Sequence, residues 1–316
     1  MPKQIDVSII VPLFNEEESL SELSEWVSSV MAQNGHSYEV IMIDDGSTDD
    51  SWNQIVAISA KNPVVKGLKL NRNYGKSTAL NTGFKAAIGD VIITMDADLQ
   101  DSPDEIPGLV DMINNEGYDL VSGWKKKRHD PLSKTLPSKV FNFVTSIVSG
   151  IRLHDFNCGL KIYRHEVTED ALPYLYGELY RFLPAIAHWA GYRVGERPVT
   201  HHARQYGVSK FGAKRLLNGF LDLLSITFVV RFMTTPMHIF GTLGLLSTMA
   251  GGGIGAYISW LWWQSGTIQN RHPLMMLGVL LIIVGIQFFS TGLLGDMLAS
   301  MHQRGGRTPR ITSRLR

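Results

Sequence analysis

Val-Ile-Ile-Thr-Met-Asp-Ala-Asp-Leu-Gln, residues 91–100, decides how the rest of the chain is to be read. Val91 to Met95 is a short apolar run with strand character. It delivers Asp96, Ala97, Asp98, Leu99 and Gln100 to the strand's end. In an open α/β sheet, ligands bind at the carboxyl ends of the strands. Two carboxylates spaced i, i+2 on leaving a strand can converge on one hard cation, and Gln100 adds a neutral oxygen. Mg²⁺ and Mn²⁺ favour such ligands and share their remaining positions with substrate phosphates and water. An isolated Asp pair would read as a solvated turn. Behind a buried strand, Asp96, Asp98 and Gln100 read as a metal-assisted diphosphate anchor.

Upstream, residues 5–14 read as a first strand stopped by Pro12, which cannot donate to a ladder. A helix is expected to begin within Asn15–Glu18, where acidic side chains favour the macrodipole. It should run to about Gln33 on a face made by Leu20, Leu23, Val27 and Val30. Tyr38–Ile43 is a second strand ending in the turn Asp44-Asp45-Gly46-Ser47, and Val64–Leu70 is a third. Asn71–Gly75 makes the next turn, followed by a helix to about Ala87. Past the central stretch, Pro103 marks another helix start and Asp119–Ser122 a fifth strand. This alternation predicts an α/β, Rossmann-like domain with a mostly parallel sheet covered on both faces. Four turns should meet at one sheet edge: Pro12–Glu17, Asp44–Ser47, Asn71–Lys76 and Asp96–Gln100. No G-x-G-x-x-G follows the first strand and no G-x-x-x-x-G-K-[ST] occurs, which excludes the dinucleotide fingerprint and the P-loop.

The 316 residues carry a formal net charge of +1, so no global basic field points to nucleic acid. The single cysteine, Cys158, excludes an intramolecular disulfide and a Cys-based zinc site, and reads as a small buried hydrophobe. His154, His201 and His202 read as structural. The apolar residues are unevenly spread: Phe232–Asn270 contains no Asp, Glu, Lys or Arg. Residues 211–235 read as amphipathic juxtamembrane helix, with Leu216, Leu217, Phe220, Leu221 and Leu224 on one face. His238–Trp262 and Pro273–Leu294 are each long enough to cross a bilayer, for which roughly 20 apolar residues suffice. The glycines at 251, 253 and 255 read as helix-packing residues, which permit self-association without demanding it.

Lys and Arg flank this hairpin on one side, from Lys210 to Arg231 before it and from Arg304 to Arg316 after it. The positive-inside rule then places both termini and the catalytic domain in the cytoplasm. The expected layout is a catalytic domain over 1–210, juxtamembrane helices over 211–235, two transmembrane helices over 236–298 and a basic tail over 299–316. With no signal peptide at the N-terminus, an integral protein of the cytoplasmic (inner) membrane is expected.

VPLFNEEESL, IDDGSTDDS, LNRNYGKSTALNTGF and MDADLQDSPDEIP, in that order, resemble the successive motifs of family 2 glycosyltransferases with a GT-A fold. With HARQYGVSKF and the paired apolar spans, the chain resembles their polyprenyl-phosphate branch over its whole length. That branch includes dolichyl-phosphate mannose synthases and bacterial undecaprenyl-phosphate glucosyl and aminoarabinosyl transferases. The resemblance implies a nucleotide-diphosphate-sugar donor, a polyprenyl phosphate acceptor and Mg²⁺ or Mn²⁺. It implies that Pro12, Phe14, Glu16 and Asp45 line the nucleotide site with Asp96 and Ala97, and that Asp96, Asp98 and Gln100 hold the metal. Arg204 and Lys210 match positions that grip donor phosphates. Lys125, Lys134 and Ser138 match acceptor-phosphate positions, although the mannose synthases carry arginines at the first two. Asp155 is a candidate base or orienting group, and a loop-capping carboxylate is the alternative.

The reaction implied is inverting transfer of a hexose, expected to be glucose from UDP-glucose, with GDP-mannose as the second donor. A processive polysaccharide synthase would carry a Q-x-x-R-W motif, which this chain lacks. A non-catalytic membrane-anchored nucleotide-sugar binder would not need carboxylates at both 96 and 98.

Overall fold

The computed structural model describes residues 5–126, 132–203, 223, 227, 236–268 and 270–304. The chain divides into two units, Met1–Ile226 and Thr227–Arg316.

The first unit is built on a seven-stranded sheet: β1 Val7–Leu13, β2 Tyr38–Asp44, β3 Val65–Lys69, β4 Val91–Thr94, β5 Leu120–Trp124, β6 Lys161–Arg164 and β7 Val194–Pro198. The order across the sheet is β3-β2-β1-β4-β6-β5-β7. β6 runs antiparallel to both of its neighbours, and every other pairing is parallel. The expected mostly parallel layer is therefore present, with two strands, β6 and β7, that the sequence reading did not identify.

Along β1 the side chains alternate between two apolar layers. Val7, Ile9, Val11 and Leu13 join α1 (Leu20–Asn34), α2 (Ser51–Lys61) and α4 (Ile106–Asn114) on one face. Ile10, with Ile41, Ile43 and Ile92, joins α3 (Lys76–Ala86), α6 (His165–Ala171) and α7 (Leu183–Trp189) on the other. A strand covered on both faces reads as a continuous apolar run, as β1 and β4 do.

The expectation that Pro12 stops the first strand fails by one residue. β1 continues to Leu13, with Pro12 opposite Ile43. Odd-numbered residues of β1 bond to β2, as in Val7 N donating to Ser37 O and Asp45 N to Leu13 O. Even-numbered ones face β4, whose pairing ends at Thr94. The N–H that Pro12 lacks would have pointed past the end of β4, so the ring costs no ladder bond. The first helix also starts later than expected, at Leu20 rather than within Asn15–Glu18. Asn15 adopts φ 56°, and its side chain and backbone are engaged with Ser47 and Thr48, which holds residues 15–18 out of the helix.

α5 (Leu132–Ser149) connects β5 to the loop before β6. The second unit contains two helices, α8 Pro236–Ser265 and α9 His272–Arg304. Both are long and apolar enough to cross a membrane, over Met237–Ser265 and His272–Met297. Their apolar side chains mostly point outward: Leu246, Met249, Ile283 and Leu294 are all more than half exposed. The two helices touch through glycines. A Cβ on Gly251 would lie 2.5 Å from the Gly278 carbonyl oxygen, and one on Gly244 would lie 2.7 Å from that of Gly285. Gly253 and Gly255, read as packing residues, face open space instead. The segment 211–235, expected to be amphipathic, lies outside the described residues apart from Leu223 and Thr227, as does the expected basic tail of 299–316 from residue 305 onward; its first residues continue α9 to Arg304.

Candidate active site

The four turns predicted to share a sheet edge are joined by hydrogen bonds. Asn15 N donates to Ser47 Oγ at 2.9 Å, and Thr48 N to Asn15 Oδ1 at 2.8 Å. Glu16 N donates to Ser51 Oγ at 3.0 Å, tying the first turn to the start of α2. The buried Asp45 carboxylate accepts from Tyr74 N and Gly75 N, both at 2.8 Å, and so clamps the third turn to the second. Gly46, at φ 73°, lies against that third turn, where a Cβ would come within 2.6 Å of the Arg72 Cα. No L side chain fits there, for both steric and backbone reasons. Pro12, Phe14 and Glu16 are half-buried along this edge.

The fourth turn is linked through Lys76, the first residue of α3. Its ammonium pairs with Asp96 Oδ1 and lies 5.0 Å from the centre of the Tyr180 ring. Burial pushes the Asp96 carboxyl upward. The charge and hydrogen bond of Lys76, with the charges of Lys125 and Lys161, outweigh that and hold it at about 2. Asp98 is buried, and its Oδ1 accepts Gln100 N at 3.2 Å. Between them Ala97 is buried, and Leu99 adopts φ 58° with its side chain in the core. A buried non-glycine residue in the left-handed region marks a turn fixed by its surroundings.

Beneath this turn lies a charged layer in which sequence reasoning named Lys125 but missed Asp101 and Lys161. Asp101, 1% exposed, faces the Lys125 ammonium at 3.0 Å and His201 Nδ1 at 3.9 Å. Lys161, at the start of β6, is buried and donates to the Cys158 carbonyl. Burial and the nearby Lys76 charge push Lys161 down, against the pull of the Asp155 and Asp96 carboxylates. Burial pushes the Cys158 thiol up to about 12, consistent with an inert core residue. Gly159 lets the chain pass here: a Cβ on it would sit 2.5 Å from Asp96 Oδ2 and 2.8 Å from Asp101 Oδ2.

Asp155 is buried on the same loop and accepts Asn157 N at 3.0 Å. The loop is fixed by Glu196 of β7, whose Oε1 accepts from His154 N and Asp155 N at 2.8 and 2.9 Å. The His154 ring stacks on Trp124 at 4.1 Å. His202 N donates to the Gln100 carbonyl at 2.8 Å, so residues 201–202 run beside the fourth turn. Arg204 and Lys210 lie outside the described residues, as does the side chain of Lys134 on α5. Ser138 is half-buried on the same helix.

Among the described residues no three His, Cys, Asp or Glu side chains form a ready-made metal cage. What the fourth turn offers is a pair of hard carboxylates, the first held ionised and already facing a cation. That donor set suits Mg²⁺ or Mn²⁺, which usually take one or two protein carboxylates and complete their shell with substrate phosphates and water.

Comparison with known proteins agrees with this geometry. The sequence pattern described as Glycosyl transferase family 2 matches residues 8–172. A dodecaprenyl-phosphate galacturonate synthase of Rhizobium johnstonii is 37% identical over 321 residues, covering 97% of this chain and 91% of the relative. An undecaprenyl-phosphate 4-deoxy-4-formamido-L-arabinose transferase of Klebsiella pneumoniae is 35% identical over 306 residues, covering 96% and 91%. Among solved structures, glucosyl-3-phosphoglycerate synthase from Mycobacterium tuberculosis, in complex with Mn²⁺, uridine diphosphate and phosphoglyceric acid, superposes with TM-score 0.54. It is 16% identical over 69% of this chain and 78% of its own, a likeness of fold. A sheet of this topology, the turns gathered at its edge and two relatives matched along nearly the whole chain make this protein a glycosyltransferase, a member of glycosyl transferase family 2.

Proposed function

We propose that the chain transfers a sugar, with inversion, from a nucleotide diphosphate sugar to a polyprenyl phosphate at the cytoplasmic face of a membrane. The reading is carried by the Asp96–Asp98 turn. It lies at the C-terminal end of β4 with its first carboxylate held ionised by lysines, in a chain two of whose relatives are named for polyprenyl-phosphate sugars. A phosphate oxygen of the acceptor attacks C1 from the side opposite the diphosphate. The new C1–O bond forms as the old one breaks, and the electron pair leaves with the nucleoside diphosphate. A lipid monophosphate has its second pKa near 6, by analogy with phosphoamino acids, so it needs no general base near neutral pH.

Asp96, Asp98 and Gln100 would hold a Mg²⁺ or Mn²⁺, which when bound supplies positive charge to the departing diphosphate. Pro12, Phe14 and Glu16 would line the nucleoside site beside Ala97, with Asp45 using its remaining lone pairs toward the base. Arg204 and Lys210 would grip the donor phosphates, Arg by paired hydrogen bonds and Lys as a point charge. On the acceptor side the reading assigns Lys125, Lys134 and Ser138. Asp101 orients Lys125, holding its ammonium above the usual lysine range although burial opposes this. Asp155 is assigned an orienting role: its carboxylate caps Asn157 N, and its charge faces Lys161.

Glucose carried by UDP is the donor expected from the family resemblance alone, and the two relatives named above put galacturonate and a formamido-arabinose beside it. The test is a donor panel on purified protein with undecaprenyl phosphate and Mg²⁺: UDP-glucose, UDP-galacturonate, a UDP-linked formamido-arabinose and GDP-mannose. An acid-labile glycolipid from one of them is expected, and chelation of the metal should stop its formation. A chain that binds nucleotide and Mn²⁺ away from residues 96–100, or forms no glycolipid from any donor, would overturn the proposal.

A further inference from the structure

The start of α8 and the later turns of α9 lie side by side. Gly292 packs against Gly241 there: a Cβ on it would lie 3.5 Å from Gly241 N. At this level each helix carries one ionisable side chain, His238 in the first turn of α8 and Asp296 near the end of the α9 span. Both are exposed, and neither side chain has a hydrogen bond or ion pair among the described residues. They line one cleft of about 600 Å³ within the second unit, together with Thr242, Leu245, Leu246 and Phe289. The Thr242 hydroxyl is turned onto its own helix, donating to the His238 carbonyl. An imidazole and a carboxylate are thus set into an otherwise apolar lining.

Helix length sets their depth. From His238 to Trp262, and from His272 to Asp296, the chain advances 24 residues, about 36 Å at the helical rise. The hydrocarbon core of a bilayer is about 30 Å thick. With Trp262 and His272 at one boundary, His238 and Asp296 both fall in the headgroup layer of the other. Leu245 lies about two turns deeper than His238, and Phe289 about two turns deeper than Asp296. The cleft therefore runs from a charged mouth at headgroup depth to an apolar floor at acyl depth, which is the profile of a single phospholipid.

Charge selects which lipid. Asp296 repels an anionic headgroup, and a lipid monophosphate more strongly still. A zwitterionic headgroup offers an ammonium to the carboxylate and a phosphate to the imidazole. The carboxylate only accepts hydrogen bonds, so a primary ammonium with its N–H donors satisfies it and a quaternary one does not. We infer that the cleft is a binding site for phosphatidylethanolamine, its ammonium on Asp296, its phosphate on His238 and its first acyl carbons against Leu245, Leu246 and Phe289. This rests on the membrane reading proposed above, but neither the site nor its test depends on the reaction.

The experiment adds lipid to the full-length chain, purified in mild detergent and stripped of endogenous lipid, and counts bound molecules by native mass spectrometry. The probes are phosphatidylethanolamine, its monomethyl and dimethyl derivatives, phosphatidylcholine and phosphatidylglycerol, all with the same acyl chains. Affinity is expected to fall with each N–H replaced by methyl, by about tenfold across the series, because hydrogen bonds between charged groups are the strong ones. Asp296→Asn should flatten that series, while His238→Gln should weaken every member alike, since all share the phosphate. Equal affinity along the series in the wild-type chain would overturn the inference, and so would tighter binding of phosphatidylglycerol. The series needs no variant, so it decides even if Asp296→Asn does not fold. A gradient that survives in folded Asp296→Asn would overturn the inference as well. So would competitive displacement by undecaprenyl phosphate, which would place the acceptor there, or loss of the site when chains associate, which would place a second copy there. Release of the chain from membranes by alkaline carbonate would remove the spanning reading and this inference together. A flat series on a chain that resists carbonate would remove this inference alone.

Discussion

At the scale of single residues, the site is organised by how its carboxylates are kept charged. Asp96 has Lys76 as its counter-ion, and any divalent cation held there must share that carboxylate with the ammonium. Lys76→Ala is therefore expected to tighten Mn²⁺ binding without donor by about tenfold, since removing a like charge favours the cation. Titration of the Mn²⁺ EPR signal checks this, and weaker binding would mean that Lys76 orients Asp96 instead. Asp98→Ala should abolish glycolipid formation while leaving the thermal unfolding of the protein within about 1 kcal/mol of wild type. Undiminished turnover would take Asp98 out of the mechanism.

Another buried carboxylate, Glu39, is structural. Burial raises its pKa, but bonds from Lys66 Nζ and Ser8 Oγ, both at 2.6 Å, and from Ile88 N at 3.0 Å bring it below the usual value. A depressed folded-state pKa contributes stability above the unfolded value of about 4.3, and that contribution is lost as pH falls through the folded value. Glu39→Gln should cost about 1.5–3 kcal/mol at pH 7, the range for hydrogen bonds to a charged group. The gap between variant and wild type should close only in acid, a trend that melting curves from pH 7 down to pH 3 would reveal.

At the scale of elements, the antiparallel β6 gives the site its shape. Lying between β4 and β5, it brings residues 154–161 against the end of β4, and Gly159 is where they pass closest to Asp96 and Asp101. Gly159→Ala should force those carboxylates aside, costing about 1–3 kcal/mol as over-packing does, and should lower turnover more than it lowers stability. Equal activity at equal stability would show that the contact relaxes freely. The parallel strands β1 to β4 and their helices were legible because each is a long apolar run or a regular helical face bounded by turn residues. β6 was not. It has four residues and opens with the buried Lys161, too short and too polar at its start for an apolar run to mark it as a strand. The pairing of Lys125, an expected acceptor-phosphate residue, with Asp101 escaped for a related reason. Each looks solvated in sequence, and only the closure of β6 and residues 199–202 around them buries the pair.

At the scale of the whole molecule, α8 and α9 supply apolar length and the first unit supplies the chemistry. Lys and Arg before α8 and after α9 predict that a reporter fused to the C-terminus reads as cytoplasmic, and that one inserted in the loop around Thr267 reads as external. Paired alkaline phosphatase and fluorescent protein fusions check this, and a periplasmic signal from the C-terminus would refute the hairpin.

By itself, the sequence determined the α/β layering, the turn carrying Asp96 and Asp98, and the two long apolar helices. Each of these is written in local pattern: strand and helix periodicity, a carboxylate pair behind an apolar run, and stretches without charge. Only the tertiary structure decided which groups surround that turn. The Lys76 pairing with Asp96, the Asp101–Lys125 pair beneath it and the loop folded over both all depend on residues tens of positions apart being brought together. Contacts of that kind leave no periodic trace along the chain.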